Sequence, residues 1–374
     1  MKQREVNFDI LRTLIMFLIV LWHAMVHGMI LDSNQSLLMQ NDSFSGICYT
    51  FTIETLLYIS SISVNCFILI SGYFSVKHER KISKLVNLWF ITIFYTLISF
   101  LLLVGTNSTD FKWTRLFSQL LPIKTGAYWF MTQYLGVILL SPYLNKMALS
   151  LTKKEYLSSL IILGFFSLVL IDKPFIFPYG NVYMHENRFI WFIFLYLQGA
   201  YIRLHVLNKS YHHYGKAFII CSFLFALLDI SIKYFNQQFL ETPPVFEVLR
   251  YNGFTFFLSL LIFMWAKNTT FKDNRFNRFL FKTAPYTLGI YLVHDSSFVR
   301  TKVWYDWLNL HEITNIFELT TVLIVLSVSI FMISLFIDFA RSELFRLLHI
   351  SDKITNIVNY SSSKLKTVFS KYFE

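Results

Sequence analysis

The chain has 374 residues, of which 55% are hydrophobic and only 15% are charged, and its mean hydropathy is +0.51. These values exclude an ordinary water-soluble protein. Aromatic residues reach 19% while glycine and proline are scarce, which excludes collagen-like, low-complexity and disordered chains. The composition therefore predicts an integral membrane protein.

The net charge of +11 is spread between apolar segments, so we expect it to reflect loop topology and anionic membrane lipids as partners, with no nucleic acid. The three cysteines form an odd set without a CxxC pattern or zinc-ligand spacing. We therefore expect no disulfide framework and no metal site.

Ten apolar stretches approach the length of about 20 residues that a helix needs to cross a bilayer. They are residues 8–30, 51–74, 85–105, 128–145, 157–172, 188–204, 216–235, 249–267, 284–300 and 315–340. The stretch 128–145 is the weakest, because Pro142 and Asn145 shorten its apolar part. We predict an all-α bundle of about ten transmembrane helices.

The distribution of basic residues orients this bundle. With the N-terminus in the cytoplasm, 23 of the 33 Lys and Arg fall in the termini and loops on the inner side, and 8 fall in the outer loops. Both termini are therefore predicted to be cytoplasmic. We assign residues 1–340 to the membrane domain, with its first apolar stretch retained as a helix. Residues 341–374 form a basic amphipathic tail, whose helical periodicity breaks around Ser361–Ser363.

Ionisable side chains within the spans are costly and should face a protein interior or a cavity. Arg12 and His23 lie eleven residues apart, which places them on one helix face about 16 Å apart along the axis. Arg12 either reaches the inner headgroups or pairs with Asp9, and His23 alone is compatible with a neutral structural histidine. Together they suit an anionic substrate at the inner end and proton transfer near the outer end.

The second span supplies further candidates. Lys77 and Arg80 follow it on the inner side, where they act either as topological charges or as phosphate ligands. Small Ser71 and Gly72 allow a close helix approach. Glu54, at the outer start of the span, either orients His23 or is a solvated carboxylate at a helix start.

Other polar and aromatic residues gather near the outer ends of several spans, in a pattern that fits sugar binding or a milder interfacial belt. They are Trp129, Arg188, His294, Asp295 and Arg300. The chain has no Walker loop, serine nucleophile elbow, HExxH or Rossmann fingerprint, so ATP-driven transport, serine hydrolysis, zinc chemistry and dinucleotide redox lack support.

Several blocks resemble the acyltransferase 3 family of membrane acyltransferases, over residues 4 to about 340. They are the Arg12-x10-His23 pattern, Asn65-Cys66-Phe67 through Ser71-Gly72-Tyr73, Trp129-Phe130 with Ser141-Pro142, and residues 289–294. The resemblance implies ten helices with cytoplasmic termini, and acyl transfer from cytosolic acyl-CoA, as donor substrate, to a hydroxyl of an extracytoplasmic glycan. It also implies essential roles for Arg12 and His23. An Arg-x-x-Arg motif of the family reads Lys77-x-x-Arg80 here and lacks the first guanidinium fork.

We therefore expect an O-acetyltransferase of surface polysaccharides in a bacterial cell membrane. His23 is expected to act as general base or acyl acceptor, with Glu54 and His294 also assigned to catalysis. Arg12, Lys77 and Arg80 are assigned to the donor, and the acceptor falls to Trp129, Arg188, Asp295 and Arg300. Proteins of polysaccharide synthesis are expected partners. A transporter or flippase for a glycan or lipid-linked intermediate, and a sugar polymerase or export partner without acyl transfer, remain alternatives.

Overall fold

The computed structural model describes most of the chain. It covers residues 5–30, 44–78, 82–167, 188–207, 213–239, 253–308, 310, 313 and 315–373. Within these residues every regular element is helical, which agrees with the all-α prediction.

Fourteen α-helices follow one another in the described residues. They are α1 (Val6–Met25), α2 (Phe44–Ser75), α3 (Ile82–Gly105), α4 (Trp113–Ser118), α5 (Pro122–Thr125), α6 (Trp129–Ser150), α7 (Lys153–Phe165), α8 (Arg188–His205), α9 (Tyr214–Phe239), α10 (Gly253–Asn268), α11 (Arg275–Thr283), α12 (Thr287–His294), α13 (Ile316–Leu347) and α14 (Ile350–Phe373). Two π-helical segments, Val26–Ile30 and Val299–Trp307, and a 3₁₀ turn, Ala284–Tyr286, complete the order.

Each of the ten predicted stretches contains a helix, and five of these helices are long and apolar enough to cross a membrane. The five lie in Val6–Gly28, Gly46–Ser75, Ile82–Gly105, Tyr214–Ile232 and Ile316–Leu347, among the residues that the structure describes. The protein is thus a helical membrane protein. The count of ten spans and the cytoplasmic location of both termini stay predictions.

The bundle is built around α1 and α2. Thirteen of the twenty residues of α1 are buried, and α2 packs against α1, α8, α9 and α10. The contact between α2 and α8 is so close that a Cβ at Gly72 or at Gly199 would overlap the opposite backbone. The predicted role of Gly72 in a close helix approach is therefore confirmed, because only glycine fits there.

The stretch 128–145, predicted to be the weakest span, is not among the five apolar ones, although α6 continues through Pro142 to Ser150; a membrane helix tolerates proline where neighbouring groups compensate. Two other local predictions are wrong. The stretch 284–300 is not one helix, because α12 ends at His294 and a π-helix starts at Val299. The tail does not break at its serines, since α14 runs from Ile350 to Phe373, while the side chains near its end lie outside the described residues.

A buried carboxylate on α13 contacts both α3 and α12. Asp338 of α13 accepts hydrogen bonds from the Tyr95 hydroxyl at 2.8 Å and from Arg341 Nε at 2.8 Å. Its carboxyl group lies against Gly289 of α12, where an added Cβ would overlap it. This contact sets the distance between α13 and the helix that ends at His294.

Candidate functional site

A cavity of about 630 Å³ runs through the interior of the bundle between α1, α2, α6, α8 and α12. Asp9 and Arg12 line one end, and His23, His27, Asp295 and Arg300 line the other. As the eleven-residue spacing predicts, Arg12 and His23 thus open onto one cavity. The chain can therefore hold an elongated ligand between a guanidinium and an imidazole.

The two histidines assigned to catalysis are in direct contact. His23 Nδ1 lies 2.9 Å from His294 Nε2, and His294 Nδ1 lies 2.6 Å from the carbonyl oxygen of Ile290. Because a carbonyl only accepts, neutral His294 donates from Nδ1 and its Nε2 accepts from His23 Nδ1. His23 is then left with a lone pair on Nε2, the atom that a general base or an acyl acceptor uses.

Asp295 gathers three cationic or titratable groups around one carboxylate oxygen. Its Oδ1 lies 3.2 Å from Arg300 Nε, 3.6 Å from His23 Nε2 and 3.7 Å from His27 Nε2. The carboxylate is buried, so the charge of Arg300 compensates its desolvation. If His23 Nε2 takes up a proton, the negative charge of the Asp295 carboxylate stabilises the imidazolium that forms.

The break after α12 builds this arrangement. The free carbonyls at the end of the helix accept from Trp304 Nε1, at 3.1 Å from His294 O, and from Arg300 Nε, at 2.8 Å from Asp295 O. Arg300 also donates to Ala127 O at 2.7 Å. In a continuous helix over 284–300 the carbonyls of His294 and Asp295 would accept hydrogen bonds from the next turn of the same helix. Because the helix breaks here, these carbonyls are available to accept from the side chains of Trp304 and Arg300.

At the opposite end, Arg12 is paired with Asp9. Arg12 Nη1 donates to Asp9 Oδ1 at 2.6 Å, and the guanidinium carbon lies 5.4 Å from the centre of the Phe74 ring. The interpretation in which Arg12 pairs with Asp9 is therefore confirmed. The Arg12 side chain keeps 31% of its surface exposed and still lines the cavity, so it can meet an anionic group there.

Of the other predicted site residues, one lines the cavity, one is exposed and two have side chains outside the described part of the chain. Trp129 lines the cavity, in edge contact with Phe192. Lys77 is exposed in the turn after α2. Arg80 and the side chain of Arg188 lie outside the described residues.

The structure also places three residues whose roles were assigned from the sequence. Glu54 is fully buried inside α2, which starts at Phe44, so it is not a solvated carboxylate at a helix start. It is not among the described residues that line the cavity, whereas His294 contacts His23 directly. Asp295 and Arg300 were assigned to the acceptor, yet they form an ion pair with each other beside the histidines. Both still face the cavity, so an acceptor role is compatible with this pairing.

Sequence reasoning missed His27 and Tyr291. His27 follows His23 by four residues, a spacing that places both on one helix face, and their rings stack with centroids 5.1 Å apart. Tyr291 lines the cavity one turn before His294, between Tyr128 and Phe130. The four-residue histidine spacing was visible in the sequence, and Tyr291 stood inside the block 289–294 that carries the family resemblance, but neither residue was assigned a role there.

The cluster also brings together three possible metal ligands, which the prediction of no metal site did not foresee. One ligand atom each from His23, His27 and Asp295 lies within 4.8 Å of the others. However, the Arg300 guanidinium already lies against the same carboxylate, and its charge would repel a cation. This geometry fits a proton-handling site better than a metal centre.

Comparison with known proteins gives one match. The family model of an acyltransferase domain, that of the acyltransferase 3 family, matches residues 5–341. No curated protein and no solved structure matches the chain significantly.

Proposed function

The chain belongs to the acyltransferase 3 family of membrane acyltransferases, and from that membership we propose that it is an O-acetyltransferase. It takes an acetyl group from acetyl-CoA on the cytoplasmic side and transfers it to a sugar hydroxyl of an extracytoplasmic or lipid-linked glycan. Its location is the cell membrane of a bacterium, where capsule, exopolysaccharide or cell-wall polymers supply such acceptors. The proteins that make or export the polymer are its partners.

The observation that carries the proposal is the single cavity that joins Arg12 to His23. A guanidinium at one end binds phosphate well, and an imidazole at the other end suits proton transfer. The two are about three helix turns apart, so the acyl arm of a donor held by Arg12 extends toward His23. Lys77, exposed in the turn after α2, adds positive charge for the donor, and Arg80 is assigned the same role from its place in the sequence.

In the reaction, His23 Nε2 accepts the proton of the sugar hydroxyl as its oxygen attacks the thioester carbonyl carbon. The new C–O bond forms, the C–S bond breaks, and the departing thiolate recovers the proton from His23 as free CoA. Asp295, 3.6 Å from His23 Nε2, stabilises the imidazolium, and the bond from His23 to His294 keeps the ring oriented. Direct attack of the same lone pair on the thioester, through an acyl-histidine, is the second route, and rapid quenching followed by mass spectrometry distinguishes the two.

The acceptor meets an aromatic wall. Trp129, Trp191 and Phe130 line the cavity together with the polar groups of Asn65 and Arg300. Aromatic faces with a few directed polar groups suit the rings and hydroxyls of a sugar. The side chain of Trp191 is itself held, since its Nε1 donates to Asn65 Oδ1 at 3.0 Å.

The test is purified protein in nanodiscs with acetyl-CoA and a panel of glycans, followed by a thiol assay for CoA. We expect release that requires an acceptor and falls by about 10²-fold or more in His23→Ala. The matched control is His213→Ala, at an exposed position before α9, which should keep wild-type release. Release unaffected by His23→Ala would refute the mechanism, and failure to bind acetyl-CoA would favour the transporter.

A further inference from the structure

One wall of the cavity carries hydroxyl and amide groups without formal charge. It is built by α2, the end of α7 and the start of α10, and we call it the hydroxyl wall. Its residues are Ser60, Ser61, Ser63, Asn65, Ser167 and Thr255. The charged residues that line the same cavity lie elsewhere, with Asp9 and Arg12 on α1 and Asp295 and Arg300 after α12. A ligand against the hydroxyl wall therefore meets dipoles and no formal charge.

The serines of α2 lie near the depth of His23 in the bundle. As successive membrane helices, α1 and α2 run in opposite directions, and Phe8 of α1 packs against Tyr73 of α2 with ring centroids 5.0 Å apart. His23 lies fifteen residues after Phe8, and Tyr58 lies fifteen residues before Tyr73. At a rise of about 1.5 Å per residue, residues 60–63 are therefore within about 8 Å of the level of His23.

Ser60 and Ser63 present only acceptor atoms to a ligand. A serine hydroxyl has one proton and two lone pairs. Ser60 Oγ donates its proton to Leu56 O at 2.7 Å, and Ser63 Oγ donates to Ser60 O at 2.8 Å. Because both protons are used within α2, a group that binds to these oxygens has to donate hydrogen bonds.

A buried hydroxyl without a partner is an independent sign of a ligand. Ser167, just after α7, lines the cavity and is only 7% exposed. Its Oγ atom has no hydrogen-bond partner in the part of the chain that the structure describes. An unpaired buried hydroxyl costs free energy, and a hydroxyl of a bound molecule would pair with it.

A tryptophan held beside the serines supplies a flat apolar surface. Trp191 Nε1 donates to Asn65 Oδ1 at 3.0 Å, which leaves Asn65 Nδ2 to donate to a ligand. The indole is also packed against Phe194 and Phe256, with ring centroids 5.3 Å and 5.8 Å away. A sugar ring matches such a surface, because its C–H face lies on an aromatic ring while its hydroxyls donate at its edge.

We propose that the hydroxyl wall is the acceptor subsite and that it selects an uncharged sugar, whose hydroxyls donate to Ser60 and Ser63 while its ring lies on Trp191. A uronic acid or a phosphorylated sugar is rejected there, because its anionic group would face acceptor oxygens and lose its hydration without a compensating cation. The inference rests on the proposed acyl transfer and adds the chemical class of its acceptor. The pantetheine arm of the donor also has N–H groups, so the tests include the donor.

The first experiment measures CoA release in nanodiscs with the methyl glycosides of glucose, galactose and mannose and with the uronic acid that corresponds to each. We expect release with a neutral glycoside and only the acceptor-free rate with its uronic acid. Ser60→Ala and Ser63→Ala should each raise KM for the glycoside about fivefold, as the loss of one uncharged hydrogen bond predicts, and leave KM for acetyl-CoA unchanged. Equal use of the uronic acid, or a rise in KM for acetyl-CoA alone, would overturn the proposal.

Ser222→Ala is the matched control for the helix bonds of these serines. Ser222 of α9 is buried and donates to Phe218 O at 2.8 Å, four residues earlier, yet it is not among the described residues that line the cavity. We expect both KM values to stay at the wild-type level. Ser167→Ala should raise KM for the glycoside without lowering the midpoint of thermal unfolding, because the hydroxyl loses no partner within the described protein.

The second experiment needs no acyl transfer. Binding of the same glycosides and uronic acids to the full chain in nanodiscs is measured by saturation-transfer difference NMR. We expect the neutral glycosides to bind, and the double variant of Ser60→Ala and Ser63→Ala to weaken this binding about tenfold or more relative to wild type and Ser222→Ala. Such binding without CoA release from any acyl-CoA would refute the proposed function while the hydroxyl wall stands. If neither class binds, or if the uronic acids bind as tightly, the proposal fails.

Discussion

At one end of the cavity Arg12 is paired with Asp9, three residues before it on the same helix, whereas at the other end His23 is bonded to His294, 271 residues away. The first pair forms wherever α1 forms. The pair of His23 and His294 forms only when α1 packs against α12 and the π-helix after it closely enough for the two side chains to hydrogen-bond. The comparison indicates that charge for binding is supplied locally, while the geometry for proton transfer is assembled by the tertiary structure.

The largest effect on the rate is expected when the contact between His23 and His294 is removed. We expect His294→Ala to lower kcat by about tenfold and His23→Ala by about 10²-fold or more, while the double variant is no slower than His23→Ala alone. The reason is that His294 touches the reaction only through His23. CoA release in nanodiscs measures the three rates. If the fold-losses in kcat of the two single variants multiplied in the double variant, His294 would act independently of His23 and the prediction would be wrong.

The support of α12 can be probed without touching the histidines. A Cβ at Gly289 would overlap the Asp338 carboxyl group, so Gly289→Ala should destabilise the protein by about 1–3 kcal/mol and lower its midpoint of thermal unfolding in detergent. Gly105→Ala, at the end of α3, meets open space and is the matched control. Equal midpoints for the two variants would show that the contact does not fix α12.

Substitutions at the Arg12 end of the cavity should change KM for the donor more than kcat. We expect Arg12→Ala to raise KM for acetyl-CoA about tenfold, with kcat changed by no more than about twofold, because the guanidinium holds the donor in ground state and transition state alike. Asp9→Asn removes the partner charge but keeps Arg12, and should leave KM close to the wild-type value. A fall in kcat as large as that of His23→Ala would mean that the two ends do not divide their tasks.

The smallest effect concerns metal. Because Arg300 lies 3.2 Å from the Asp295 oxygen shared by His23 and His27, we expect chelation of divalent cations to leave CoA release unchanged. Dialysis against EDTA, with metal content measured before and after, checks this. Loss of activity that Zn²⁺ restores would show that the three ligands hold a catalytic ion.

Much of the site followed from periodicity alone. The eleven-residue interval predicted that Arg12 and His23 share a face, and the three-residue interval offered Asp9 as a partner for Arg12; both are confirmed. Glu54 was assigned to the site because its depth resembles that of His23, yet it is not among the described residues that line the cavity, since depth along a helix does not say which way a side chain points. His27 was missed although its spacing from His23 is equally regular.

Composition and hydropathy determined by themselves that the chain is a helical membrane protein, because burying a continuous apolar run in lipid requires a helix. They also indicated where the helices lie and which faces of α1 carry charge. Only the tertiary structure decided that α12 ends at His294, that Asp295 is shared by Arg300, His23 and His27, and that serines of α2 line the same cavity as His23. These features depend on contacts between residues far apart in the chain, and helical periodicity reports only on neighbours within a few turns.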